Sequence, residues 1–233
     1  MASATYVSRR DELERYFDRT AVEAWKRLTS DAPVGRIRAT VRAGRDAMRE
    51  TLLSWLPDDL CGARVLDAGC GTGAMSIALA RRGADVHAID ISPSLIQLAR
   101  DRAPRDLGRG SATFLVGDML DSNLGQFDYV VAMDSLIHYG GADIARTIAS
   151  LAARTHSKIV FTIAPRTFAL TLMHTAGRLF PRTQRAPAIL PISQPAIGRR
   201  LASERGLEKW RINRTGRVNS GFYISQALEV IRG

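Results

Sequence analysis

The stretch V-L-D-A-G-C-G-T-G, residues 65–73, decides the fold of this chain. A short apolar run ends in it and an amphipathic stretch, 73–82, opens from it, so it is a strand-to-helix turn. Gly69, Gly71 and Gly73 let the backbone come close to a ligand and leave helix N–H groups pointing outward. Dinucleotide-binding folds share that geometry, and glycines alone do not separate the readings. Asp67, standing before the first glycine, does. A carboxylate there repels a pyrophosphate and attracts an ammonium group. The spacing is also G-x-G-x-G, with the third glycine two residues on instead of three.

Outward from this turn the chain alternates short apolar runs with amphipathic stretches. The runs are R-V-L-D-A, D-V-H-A-I-D, A-T-F-L-V-G-D, Y-V-V-A-M-D and K-I-V-F-T-I-A. Helical periodicity marks 73–82, 93–102 and 141–154 between them. Continuously apolar strands alternating with helices predict βαβ units and a parallel sheet covered on both faces. Two amphipathic helices, 9–29 and 36–56, precede the first strand, separated by S-D-A-P-V-G. After Ala164 five prolines interrupt the rhythm around one predicted helix, 167–180, which reads as an inserted cap. A helix over 194–204 and two strands near 207–214 and 221–231 complete the chain.

Acids recur at the carboxyl ends of successive strands, where open α/β sheets bind ligands. Asp90 follows Gly69 by 21 residues, the separation at which an acid grips ribose hydroxyls. Asp118 ends the third predicted strand, within reach of an adenine amino group, and Asp134 ends the fourth. Singly, each is as ordinary as a helix N-cap. Four at four strand ends form a pattern.

Composition sets the outer bounds. The 233 residues suit one core with a small cap, and 45% apolar with 24% charged residues is a globular balance. No apolar run is long enough to span a bilayer, and charge interrupts the N-terminal stretch before a secretory signal could form. Cys61 and Cys70 provide neither a disulfide framework nor a four-cysteine zinc site, and the histidines lack metal-ligand spacing, so no protein-bound metal is expected. These features predict a cytoplasmic protein, or one resting on the cytoplasmic side of a membrane. The net charge is +10, carried by 30 arginines and only 3 lysines against 23 acids. From Ala164 to Arg217 there are ten arginines and one lysine against two glutamates, a net +9. That segment is expected to face something anionic: a carboxylate substrate, an acidic lipid surface or nucleic acid.

On the glycine turn and the strand-end acids, the chain from about residue 60 onward resembles the class I S-adenosylmethionine (SAM) methyltransferases. The resemblance implies a Rossmann-like α/β fold. Its seven-stranded, mostly parallel sheet would have the order 3-2-1-4-5-7-6, with two N-terminal helices and the small cap added. It implies an organisation of 1–58 as a helical arm closing the site, 59–163 as the SAM-binding core, 164–205 as substrate cap and helix, and 206–233 as the last antiparallel strands. It further implies that Asp67, Gly69, Gly71 and Gly73 hold the methionine part of SAM. Asp90 and Ile91 would take the ribose and Asp118 with Met119 the adenine, with Asp134 and Arg42 completing the cofactor set.

Further strings narrow the resemblance. Y-F-D-R-T-A-V-E-A-W at 16–25, V-R-A-G-R at 41–45, D-S-L-I-H-Y at 134–139, A-P-R-T-F at 164–168 and N-S-G-F-Y-I-S at 219–225 are similar to the magnesium protoporphyrin IX O-methyltransferases of bacteriochlorophyll and chlorophyll synthesis. Family members often carry G-H where this chain has Gly44-Arg45. The likeness implies methylation of a propionate carboxylate of the magnesium porphyrin, the magnesium belonging to the substrate. It also implies contact with the large porphyrin-binding subunit of magnesium chelatase, while the basic, apolar cap is expected to rest on anionic lipid, a peripheral seat on the photosynthetic inner membrane. His138 is the expected catalytic residue, positioning the propionate as hydrogen-bond donor or imidazolium rather than abstracting a proton, and Tyr16 is expected to close over the site. Tyr139 and Arg166 are expected on the substrate side, and Phe168, Leu172, Met173, Leu179 and Phe180 over the macrocycle. Three other readings remain: O-methylation of a quinone precursor, RNA methylation, and a porphyrin carrier without transfer activity. Against RNA stand D-S-L-I in place of an N/D-P-P-Y/F string and the lack of an RNA-binding module.

Overall fold

The computed structural model describes residues 3–19, 35–166 and 188–233. The predicted helix 167–180, its five apolar cap residues, and the second half of the predicted helix 9–29 lie outside them. In chain order the elements are α1 (Ala4–Arg19), α2 (Arg36–Leu53), β1 (Arg64–Ala68), α3 (Ala74–Arg81), β2 (Asp85–Asp90), α4 (Pro93–Arg102) and β3 (Ser111–Val116). They continue with β4 (Phe127–Ala132), α5 (Gly141–Ala152), β5 (Thr155–Ile163), α6 (Gln194–Ser203), β6 (Trp210–Ser220) and β7 (Tyr223–Arg232).

Seven strands form one sheet of order β3-β2-β1-β4-β5-β7-β6, as the resemblance implied. β1 to β5 pair in parallel, and β7 runs antiparallel to both β5 and β6. The central strands are apolar on both faces because a hydrophobic cluster covers each. Leu66, Val130, Phe161 and Leu228 belong to the cluster on one side, and Val65, Val86, Val131 and Val160 to that on the other. The C-terminal hairpin is tied in by a buried acid. Glu229 accepts from Lys158 Nζ at 2.8 Å and Asn213 Nδ2 at 2.6 Å, while the Arg214 guanidinium lies 3.3 Å away. With its donors satisfied, the carboxylate is kept inside the sheet without an orphaned charge.

Both N-terminal helices are pinned to the carboxyl-end edge of the sheet. On α1, Tyr6 Oη and Arg10 Nη1 donate to Asp118 at 2.7 and 2.9 Å. Asp18 accepts from Ser94 N and Oγ at the start of α4 (3.1 and 2.6 Å). Helix α2 packs on β6 and β7. There Gly44 is required by contact: a Cβ on it would lie 2.6 Å from the Tyr223 ring. The two helices thereby roof the tips of β1, β2 and β4.

Candidate functional site

A cavity of about 320 Å³ opens at those tips, the size class of small-molecule sites. Its floor is the 69–72 turn with Asp67 and Asp90, and its far wall runs from Met133 to Tyr139. The roof is Leu13 and Phe17 of α1 with Arg42, Arg45 and Arg49 of α2.

The floor is built for a cation. Asp67 is 1% exposed and accepts from Ser76 Oγ at 2.5 Å. Burial dominates and lifts its pKa to about 7, with the neighbouring Asp90 charge adding to the rise and the Ser76 bond opposing it. Asp90 is raised too, again mainly by burial, although Ser92 N and Gly71 N donate to it at 3.0 and 2.9 Å. Gly69 and Gly71 have φ of +84° and +54°, left-handed values that favour glycine. A Cβ on Gly69 would strike Ser135 of the far wall. A Cβ on Gly71 would meet nothing within 4 Å, leaving room for a ligand against the backbone. Gly73, in contrast, does not line the cavity: its φ is +81° and a Cβ there would lie 2.7 Å from the Phe114 ring, so it serves the packing of α3.

The far wall turns on Asp134, the one non-glycine with positive φ (+56°) among the described residues. That conformation is costly unless the surroundings fix it, and three side chains do. Asp134 N donates to Thr162 Oγ1 at 2.7 Å. Its carboxylate accepts from Tyr223 Oη at 3.0 Å and from Arg45 Nη1 at 2.8 Å, and Thr162 Oγ1 lies 3.3 Å from it. The turn leads into a short 3-10 segment, Leu136–His138. His138 is 9% exposed, edge-on to Phe17 with centroids 5.9 Å apart. Its Nδ1 lies 3.4 Å from the Ala188 carbonyl oxygen, which only accepts, so Nδ1 carries the proton and Nε2 the lone pair. Burial lowers its pKa, its largest influence, so the ring is neutral near pH 7 with an accepting nitrogen, in place of the hydrogen-bond donor or imidazolium expected from sequence. Tyr139 also lines the cavity and stacks on Tyr6 at 4.9 Å.

The structure brings together Asp67, Gly69, Gly71, Asp90, Ile91, Met119, Asp134, Arg42, His138 and Tyr139 as expected, all lining one cavity. Besides Gly73, it places three others elsewhere. Asp118 does not line the cavity, although Gly117 and Met119 on either side do, because Tyr6, Arg10 and Leu120 N occupy its oxygens. Tyr16 sits edge-on to Phe17 at 5.2 Å, off the cavity, and the closing aromatic is Phe17. Arg166 is exposed and lines nothing. The sequence reading missed Arg45, Asp46 and Arg49. With Arg42 they fall at positions 0, 3, 4 and 7 of a helical face, a spacing that was visible. Among the described residues, no group of His, Cys, Asp and Glu could hold a metal ion.

The sheet order, the glycine turn and the strand-tip acids define a class I SAM-dependent methyltransferase. Residues 65–157 match a family model described as a methyltransferase domain, and 132–232 match one described as the magnesium-protoporphyrin IX methyltransferase C-terminus. The chain is 53% identical to the magnesium-protoporphyrin O-methyltransferase of Rhodobacter capsulatus, over 96% of this chain and 97% of that one. It also matches the crystal structure of the Synechocystis magnesium protoporphyrin IX methyltransferase with bound S-adenosylhomocysteine (SAH). That match has a TM-score of 0.82 and 31% identity, over 96% and 99% of the two chains. A ubiquinone biosynthesis O-methyltransferase of Xanthomonas oryzae is 36% identical, but over only 53% of this chain. The chain belongs to the magnesium-protoporphyrin O-methyltransferase family.

Proposed function

We propose that this protein transfers a methyl group from SAM to one propionate carboxylate of magnesium protoporphyrin IX, forming the monomethyl ester. One observation carries the reading: the likeness to the R. capsulatus enzyme runs through α1 and α2, which roof the cavity, and through the C-terminal third, and not just through the donor-binding core. The ubiquinone-type relative matches only 53% of this chain, so the rival reading lacks that whole-chain support.

The residues suit the donor. Buried Asp67 and half-buried Asp90 favour the ammonium and ribose hydroxyls, and the open space at Gly71 admits a ligand against the backbone. Bound there, SAM supplies an electrophilic methyl group on a sulfonium. The protein's part is approach, alignment and water exclusion. A propionic acid has a pKa of about 4.3 in water, and burial in an apolar cavity raises it. Neutral His138 answers that rise, since Nε2 can accept the proton and leave a carboxylate to attack. Phe17 and Leu13 shut water out above it.

The proposal extends to a docking face. Ile37 and Phe222 are 58% and 52% exposed, and edge strand β6 presents exposed Arg211, Arg214 and Arg217. An anionic bilayer suits such a face, with apolar side chains entering the interface and arginines meeting the headgroups. Hand-over of so apolar a substrate favours contact with the porphyrin-binding subunit of magnesium chelatase as well. Co-flotation with anionic but not neutral vesicles tests the first, and co-purification with that subunit tests the second.

The activity is tested by incubating the protein with SAM and magnesium protoporphyrin IX beside metal-free protoporphyrin, a phenolic quinone precursor and RNA. Mass spectrometry is expected to find a product one CH₂ heavier from the magnesium porphyrin alone. Methylation of the phenol or the RNA in its place would overturn the assignment.

A further inference from the structure

The reaction removes one positive and one negative charge. The sulfonium becomes a thioether, keeping the electron pair of the broken C–S bond, and the carboxylate becomes an ester. A bare anion on the cavity wall opposes this twice: it stabilises the cationic reactant more than the transition state, and it repels the incoming carboxylate. The floor carboxylates, Asp67 and Asp90, are met by neutral donors, the Ser76 hydroxyl and the backbone N–H groups of Gly71 and Ser92. Asp134 differs. Its side chain is 8% exposed and lies against Arg45 at 2.8 Å, and that arginine reaches it from α2, a separate part of the chain. Tyr223, whose ring sits against Gly44 of the same helix, completes the cluster by donating its Oη to Asp134. Of the other roof arginines, Arg49 pairs with Asp46 at 2.8 Å.

Taking the methyl transfer proposed above as given, we infer that Arg45 is a charge-balancing residue of the reaction, neutralising Asp134 so that the acceptor wall does not hold the sulfonium back or turn the carboxylate away. Asp134 remains in place because its left-handed turn aims Ser135–His138 into the cavity, and Arg45 makes that turn electrostatically harmless. Arg45 acts through Asp134 and is a positioning residue in this sense.

The test compares the affinity of the full-length protein for SAM with that for SAH, which lacks the sulfonium charge, by titration calorimetry. Arg45→Met exposes the carboxylate and is expected to raise the preference for SAM over SAH by roughly fivefold or more, while lowering kcat. Asp134→Asn removes the negative charge facing the arginine, and its preference is expected to move the opposite way. The double variant is expected to return near the original ratio. Tyr223→Phe keeps both charges and is expected to leave the ratio unchanged even where stability falls. General damage to the site moves both ligands together, so opposite-signed shifts are the signature of charge balance. Should Arg45→Met fold poorly, Arg45→Lys, which keeps the charge and the ratio, and Asp134→Asn still decide the matter. Equal ratios in all variants, or shifts of one sign, would overturn the inference. Binding of neither ligand by the unmodified protein would overturn the methyltransferase reading beneath it.

Discussion

The two sides of the cavity handle negative charge in opposite ways. On the β1–β2 side, Asp67 and Asp90 are held among neutral hydroxyl and backbone donors, and burial drives both pKa values up. On the β4–β7 side, Asp134 is equally sequestered but is met by Arg45 and Tyr223. An uncompensated buried carboxylate is costly in the empty protein, and the cost is released when a cation arrives. A compensated one asks nothing of the ligand. The first side is therefore the place for the donor's ammonium group, and the second a wall past which a carboxylate can come.

The comparison breaks most sharply at the reacting centre. His138→Ala is expected to lower kcat by about 10²–10³, the range of a lost proton acceptor, while SAM affinity stays within about twofold. A matching loss of SAM affinity in calorimetry would move His138 from the acceptor wall to the donor floor. Next comes the floor itself. Asp90→Ala removes the acceptor for Gly71 N and Ser92 N along with the ribose contact, and SAM affinity is expected to fall by about 100-fold. Near-normal affinity would show that the floor acids do not grip the donor. A smaller effect is expected at the hinge of the compensated side. Gly44→Ala drives a methyl group into the Tyr223 ring and is expected to cost about 1–3 kcal/mol in thermal or denaturant unfolding. A silent substitution would mean that α2 is not seated on Tyr223.

The same contrast explains what the sequence disclosed. The donor side was legible because its chemistry lies in a contiguous turn and in acids at fixed strand-end offsets, Asp67 and Asp90 among them. Continuous apolar runs likewise gave the sheet away, since burial on both faces leaves few other compositions. The compensated side joins residues far apart in the chain: Arg45 and Asp134 are 89 positions apart, as are Asp134 and Tyr223. A charged helical face, 42–49, reads as solvated until something is found opposite it. Asp118 failed for a related reason. It stands where its companions stand, but Tyr6 and Arg10, more than a hundred residues upstream, reach its oxygens. For Tyr16 the helix was right and the face was one residue off, Phe17 being the side chain turned to the cavity.

The most direct test of the uncompensated donor floor is SAM binding measured by calorimetry between pH 6 and 8, in buffers of different ionisation enthalpy. Asp67 must be ionised to meet the donor's ammonium, and in the empty protein it titrates at about 7. Affinity is therefore predicted to weaken as pH falls below about 7, approaching tenfold per pH unit, with a proton released on binding near neutrality. The Asp67→Asn variant should bind weakly at every pH and release none. Affinity independent of pH in the unmodified protein, with no proton release, would contradict the account.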